Sequence, residues 1–201
     1  MRDAQKCLTR ERLIDAAFEA FHRHGYQATN ASVIAKAAGA SRATFYLHFS
    51  SKAEIVIELL ERIEPSVLEI YERLDELEHP SLQDVRDWVA DTVAWWERDR
   101  LRFEAFEQAL AVEPRVAERW YSSFVRAAES MTRHLSAFSS AERDAERLRI
   151  ITLMAQLDRT MYFTTVQRVA PADAALLDVL AHQWHAALHR RPSGLSDGRG
   201  R

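Results

Sequence analysis

The chain has 201 residues, a net charge of −3, 28% charged residues and a single Cys, which excludes an intramolecular disulfide framework and a cysteine zinc cluster. No apolar run approaches the ~18 residues of a membrane helix, and no signal-peptide core opens the chain, so the expected location is the cytoplasm, away from membranes. Long Ala/Leu/Glu/Arg-rich runs, with only five Gly and five Pro, predict an all-α protein with one small and one larger lobe.

The charge is unevenly spread. Residues 1–53 hold eight Lys/Arg (Arg2, Lys6, Arg10, Arg12, Arg23, Lys36, Arg42, Lys52) against four acids, +4, which leaves −7 for the remainder. A basic amino-terminal lobe on an acidic body suits a polyanion such as DNA better than a membrane surface.

In chain order, Thr9 to His24 reads as a helix with Leu13, Ile14, Ala17, Phe18 and Phe21 on one stripe, ended by Gly25. Glu19 and His22 make one Glu-x-x-His pair, but the second pair that a di-iron site needs is missing. Thr29 to Lys52 is the most informative stretch. Ile34, Ala35 and Ala38 give a short helix a small apolar face, and Gly39 allows a sharp turn. Ser41 is a good N-cap for a second short helix, which buries Phe45 and Phe49 and points Arg42, Ala43, Tyr46 and Leu47 elsewhere, flanked by Thr44 and His48. This is a helix-turn-helix pattern. Ser51 and Glu54 predict a capping box for the next helix.

That helix, Glu54 to about Glu78, carries Pro65, which predicts a kink or an end at Glu64. Ser81 and Asp84 cap a following helix to about Asp99. A short one carries Phe103, Phe106 and Leu110, and Pro114 begins another with Val116, Trp120, Phe124, Ala127 and Met131 inside. Any one of the five Trp and several Phe of this lobe reads first as core, but as a group they are expected to line a mostly apolar cavity, with Thr92, Gln108 and Tyr121 as its polar anchors. Ser139 and Glu142 start a long helix to about Arg168, and the turn at Ala170-Pro171 leads to a last helix, about Ala172 to His189. Such a hairpin can pair with another copy as a four-helix bundle. His182, His185 and His189 fall on roughly one helix face, better taken as a polar stripe than as a metal site. Residues 191–201 read as a flexible tail. No nucleophile elbow, phosphate loop or paired metal motif is present, so neither enzyme activity nor a cofactor is expected.

Gly25-Tyr26, Ile34-Ala35, Ala38-Gly39, Ser41, Thr44, Tyr46, Phe49 and Ser51-Lys52 resemble the DNA-binding domain of TetR-type transcriptional regulators. The resemblance implies a three-helix helix-turn-helix domain at 1–53, a helical ligand-binding and dimerisation domain at 54–190, and a signalling role for the helix that joins them. Ala31 and Ala40 depart from the family's larger aliphatic residues, with Val33 expected to fill part of that space. The carboxyl half, with Ser41-Arg42-x-Thr44-Phe45-Tyr46 upstream, is similar to actinobacterial regulators of the ethionamide-resistance type, which take elongated hydrophobic ligands.

The resulting expectation is a homodimeric repressor that binds a pseudo-palindromic operator and is released by a small hydrophobic effector. Arg42 is the candidate for a guanine edge, Ala43 for close approach and Leu47 for a thymine methyl. Thr29, Ser41, Thr44, Tyr46, His48 and Lys52 are assigned to phosphates. The implied effector site comprises Trp88, Thr92, Trp95, Trp96, Phe103, Phe106, Trp120, Tyr121, Phe124, Met131, Met154 and Leu157. Leu157, Met161, Val166, Leu176, Leu180, Trp184 and Leu188 are expected at the dimer interface. An activator, a co-repressor-dependent regulator, or a lipophilic-ligand carrier that ignores operators are the alternatives.

Overall fold

The computed structural model describes residues 2–190, so the tail expected at 191–201 lies outside the described residues. Ten α-helices, one π-helical turn and no strand occur among the described residues. In order they are α1 (Arg2–His24), α2 (Ala31–Ala37), α3 (Arg42–His48), α4 (Lys52–Glu76), α5 (Leu82–Arg98), α6 (Arg100–Leu110), α7 (Pro114–Ser130), α8 (Thr132–Ser136), α9 (Ser140–Met161), the π-helical turn Tyr162–Val166, and α10 (Ala174–Leu188). No helix among them is long and apolar enough to cross a membrane.

The described residues form two compact units, one of the residues up to 63 with 99–121, the other of 64–98 with the described residues from 122 on. The first is larger than the domain expected at 1–53, because α6 and the start of α7 belong to it. Its core is built from Leu13, Ala17 and Phe21 of α1, Ile34 of α2, Phe45 of α3 and Ile55 of α4, all fully buried. Each large side chain there contributes roughly 1.5–3 kcal/mol on transfer from water. Arg62 reaches both Glu11 of α1 and Glu58 on its own helix, tying α4 to α1.

α4 does not end at Glu64: it runs unbroken through Pro65 to Glu76. Its expected capping box is shifted, since Glu54 accepts from the backbone N–H of Ser50 rather than that of Ser51. The boxes at Ser81/Asp84 and Ser139/Glu142 form as expected.

In the second unit α5 packs along α10. Tyr71, Trp88 and Trp184 make an aromatic trio with ring centroids 4.9–5.8 Å apart, and Trp88 Nε1 donates to the Ile70 carbonyl at 2.8 Å. The long helix expected to reach Arg168 stops at Met161. Thr160 and Thr164 each bond a carbonyl four residues back, a habit that competes with the helical ladder and bends it. The π-helical turn follows, and Arg168, at φ 53°, closes it.

The apolar set expected at a dimer interface divides in two. Leu157, Met161, Val166, Leu180 and Trp184 are buried within their own chain. Leu176 and Leu188 are half-buried, and the outward large apolar positions of the hairpin include Leu148, Phe163, Val169 and Val179. The sequence pattern marks both helices as apolar on several sides but does not say which side meets its own chain.

Candidate nucleic-acid interface

The site is set by two caps and a turn. The Asn30 side chain accepts from the backbone N–H groups of Ser32 and Val33 at 3.0 and 3.1 Å and starts α2. α2 ends in a Schellman arrangement: Ala40 N–H donates to the Ala35 carbonyl at 2.8 Å, and Gly39 N–H to that of Lys36 at 3.1 Å. Gly39 sits at φ 66°, which residues with a Cβ adopt only at a cost. Two residues later Ser41 Oγ accepts from Thr44 N–H at 3.0 Å and starts α3.

α3 buries Phe45 while leaving Arg42, Ala43, Tyr46 and Leu47 exposed. At 100° per residue those four positions span an arc of about 140°, one continuous outward face. Leu47 is 78% exposed, an unusual place for a large aliphatic side chain that nothing covers. The Arg42 guanidinium stacks 5.5 Å from the Tyr46 ring centroid, so the two side chains are ordered together. The carboxyl end of α3 is held by Arg10. Its guanidinium donates to the His48 carbonyl at 2.5 Å, pairs with Glu58 and lies 4.1 Å over the Phe49 ring.

The other expected contact residues are placed differently. Thr29 is buried, its hydroxyl donating to the carbonyls of Gly25 and Ala20 at 2.8 and 3.2 Å. The Lys52 ammonium donates to the carbonyls of Tyr26, Gln27 and Thr29, and lies 4.2 Å over the Tyr26 ring. Its three donors are thereby engaged in closing the α1–α2 turn, and burial lowers its pKa. His48 is half-buried. Burial, reinforced by Arg10 and Lys6, holds its pKa below the ordinary value, so the ring is neutral near pH 7. Thr44 is half-buried and shares a hydrogen bond with Ser41 at 2.9 Å. Val33, beside the small Ala31 and Ala40, is 37% exposed.

Two residues named from sequence had no individual role assigned there. Lys36, in the last turn of α2, is an exposed cation close in sequence to the turn. Tyr26 is a fastening point: its N–H donates to Gln108 Oε1 at 2.7 Å and its hydroxyl to Glu113 Oε1 at 2.9 Å, with burial raising its pKa. Gln108 thus anchors this turn, whereas the sequence suggests it as a polar anchor for an effector. Only the three-dimensional approach of α6 to α1 reveals that pairing.

The twelve expected effector residues fall in both units. Phe103, Phe106, Trp120 and Tyr121 belong to the first, and Trp88, Thr92, Trp95, Trp96, Phe124, Met131, Met154 and Leu157 to the second. Phe106 packs on Trp120 at 4.8 Å, Thr92 bonds the Trp88 carbonyl at 2.9 Å, and Tyr121 is 53% exposed. No group of three or more His, Cys, Asp or Glu able to hold a metal occurs among the described residues. The His185 and His189 rings stack 4.0 Å apart, and Glu19 and His22 pair with Arg23 and Glu104 respectively.

Comparison with known proteins agrees with this geometry. Residues 13–59 match the family described as bacterial regulatory proteins, tetR family. The transcriptional activator FasR of Mycolicibacterium smegmatis is 26% identical over 182 residues, covering 90% of this chain and 83% of that protein. The transcriptional regulator AcrR of Shigella flexneri is 30% identical over 105 residues, 48% of this chain and 46% of that one. Among solved structures, SmeT, the repressor of a Stenotrophomonas maltophilia multidrug efflux pump, superposes with a TM-score of 0.56 at 21% identity, covering 89% of this chain and 86% of its own. The fatty acid degradation regulator FadR of Bacillus halodurans gives 0.55 at 22%, covering 96% and 97%.

Proposed function

The chain carries a TetR-type DNA-binding domain on a TetR-type helical fold, and from that premise we propose that it is a dimeric, ligand-responsive repressor of transcription. The observation that carries this reading is the outward face of α3. Arg42, Ala43, Tyr46 and Leu47 are exposed on a helix whose two ends are fixed, while the Thr29 hydroxyl and the Lys52 ammonium are engaged by backbone carbonyls. A rigid helix offering a cation, a small gap and an apolar tip suits the major groove. Arg42 donates to a guanine edge, Leu47 meets a thymine methyl, and Ser41 and Tyr46 contact phosphates. Lys52, Thr29 and His48 serve the same surface by positioning.

Two copies joined through the outward face of α9 and α10 would present two such helices to a pseudo-palindromic operator. An effector bound to the body would lower operator affinity only as far as it prefers the form that binds DNA poorly. A DNase I footprint on the DNA upstream of the gene tests the reading. Two protected half-sites one helical turn (~34 Å) or a multiple apart are expected. Uniform weak protection at all concentrations would refute it. Activation is the second reading, supported by the activator named among the relatives. Transcription from that promoter with and without the protein separates the two.

A further inference from the structure

Spacing alone favours a polar stripe for His182, His185 and His189, but the ring geometry at the carboxyl end of α10 adds what spacing lacks. The His185 and His189 rings, four residues apart, face each other with centroids 4.0 Å apart and planes 26° from parallel. His189 Nδ1 lies 3.0 Å from the His185 carbonyl, and His182 Nδ1 lies 2.7 Å from that of Asp178. A carbonyl can only accept, so Nδ1 carries the proton, and the neutral ring keeps its lone pair on Nε2. Metal-ligating imidazoles are commonly fixed in this way, the second nitrogen donating to a backbone carbonyl.

The pair is also accessible. His189 is exposed and His185 half-buried. At 100° per residue the two positions are centred about 100° round α10 from Val179 and about 120° from Trp184. They therefore lie off the buried side of the helix and off the face through which two copies would join. The charges nearest in the chain are matched: the Arg190 guanidinium is held by Glu146, and Asp178 pairs with Arg86. Two nitrogens that bind one zinc ion at ~2.0–2.1 Å with a tetrahedral angle stand about 3.3 Å apart. The ring separation is within an ångström of that.

We propose that His185 and His189 chelate a divalent transition-metal ion of the zinc class through their Nε2 atoms. No group of three or more His, Cys, Asp or Glu able to hold a metal occurs among the described residues, so water completes the shell. The clip spans one turn, so the ion ties down the carboxyl end of α10 and binds the folded chain better than the unfolded one. The proposal is independent of DNA recognition, and its test contains no DNA.

The test is calorimetric titration of the full chain, without an affinity tag, with zinc chloride and with magnesium chloride. It is done in the Cys7→Ser background, because the exposed Cys7 thiol is itself a zinc ligand. Zinc is expected to bind, magnesium is not, and the melting temperature should rise with zinc concentration. His189→Ala, at an exposed position, should weaken zinc at least about tenfold and remove that rise. His182→Ala should leave both unchanged. No zinc binding, equal binding of the two ions, zinc binding that His189→Ala leaves intact, or an equal loss in His182→Ala would overturn the proposal.

Discussion

Arg42 and Lys52 are both cations of the motif, and the structure gives them opposite tasks. Arg42 has an exposed guanidinium on the outer face of α3, so Arg42→Ala should relax discrimination by about 1–3 kcal/mol at one base position. Lys52 spends its three donors on backbone carbonyls. Lys52→Ala should therefore lower stability and operator affinity together while leaving the salt dependence of binding unchanged. A salt slope smaller by about one would instead mark it as a phosphate contact. Gly39 separates strain from space. Nothing lies within 4 Å of a Cβ built there, yet φ is +66°, so Gly39→Ala should cost about 1 kcal/mol in urea denaturation through the backbone alone. His48 titrates below its ordinary 6.5 because burial and two nearby cations disfavour its charged form. The sign follows: its contribution is present above 6.5 and is lost as pH falls through the lowered folded-state value. An NMR titration that places this ring at or above 6.5 would contradict the arrangement around it. Of these roles, the outward face of α3 was legible from the spacing of Phe45 and Phe49. The inward commitment of Thr29 and Lys52 was not, because it depends on carbonyls more than twenty residues away from Lys52.

At the scale of elements, periodicity located the major helices, and capping residues located several of their starts. It missed α8, a five-residue turn of helix too short to show a period, and the switch to π-helix after Met161. α4 shows how context overrides a breaker. Pro65 has no N–H to give the Glu61 carbonyl, yet the helix continues, held on one side by Arg62 with Glu11 and on the other by Arg126 with Glu64. Pro65→Ala restores that hydrogen bond and should raise stability by about 2 kcal/mol, less than the full helix penalty because the unfolded chain also gains freedom. The Tyr26 fastening belongs to this scale as well. It ties the α1–α2 turn to α6 and to the residue just before α7, which explains why the first unit exceeds the expected domain. Tyr26→Phe should cost about 1 kcal/mol, and a cycle with Glu113→Gln should show the two losses to be coupled.

For the whole molecule, the segregation of charge into a basic amino-terminal region and an acidic remainder was readable directly from sequence. The proposed pairing of two copies was readable only in part. A helical hairpin at the carboxyl end suggested pairing, but the side that faces out emerges from burial. Val179 is 55% exposed on α10 and Leu148 52% on α9, whereas Trp184 is 1% exposed in the aromatic trio. Val179→Arg should therefore produce a folded monomer in sedimentation velocity. Trp184→Ala should unfold the body instead, with a loss of about 3–5 kcal/mol. A monomeric wild-type chain at micromolar concentration would remove the geometric basis for a two-fold operator.

Whether α3 reads sequence through Arg42 can be measured by fluorescence anisotropy. The DNA immediately upstream of the gene and a scrambled version are titrated with wild-type protein and Arg42→Ala at two salt concentrations. The wild type should bind tightly and in a sequence-dependent way. The variant should keep the salt-sensitive affinity for scrambled DNA and lose most of its preference for the upstream DNA. A variant that retains the full preference, or a wild type that binds neither DNA at low salt, would contradict this role of Arg42.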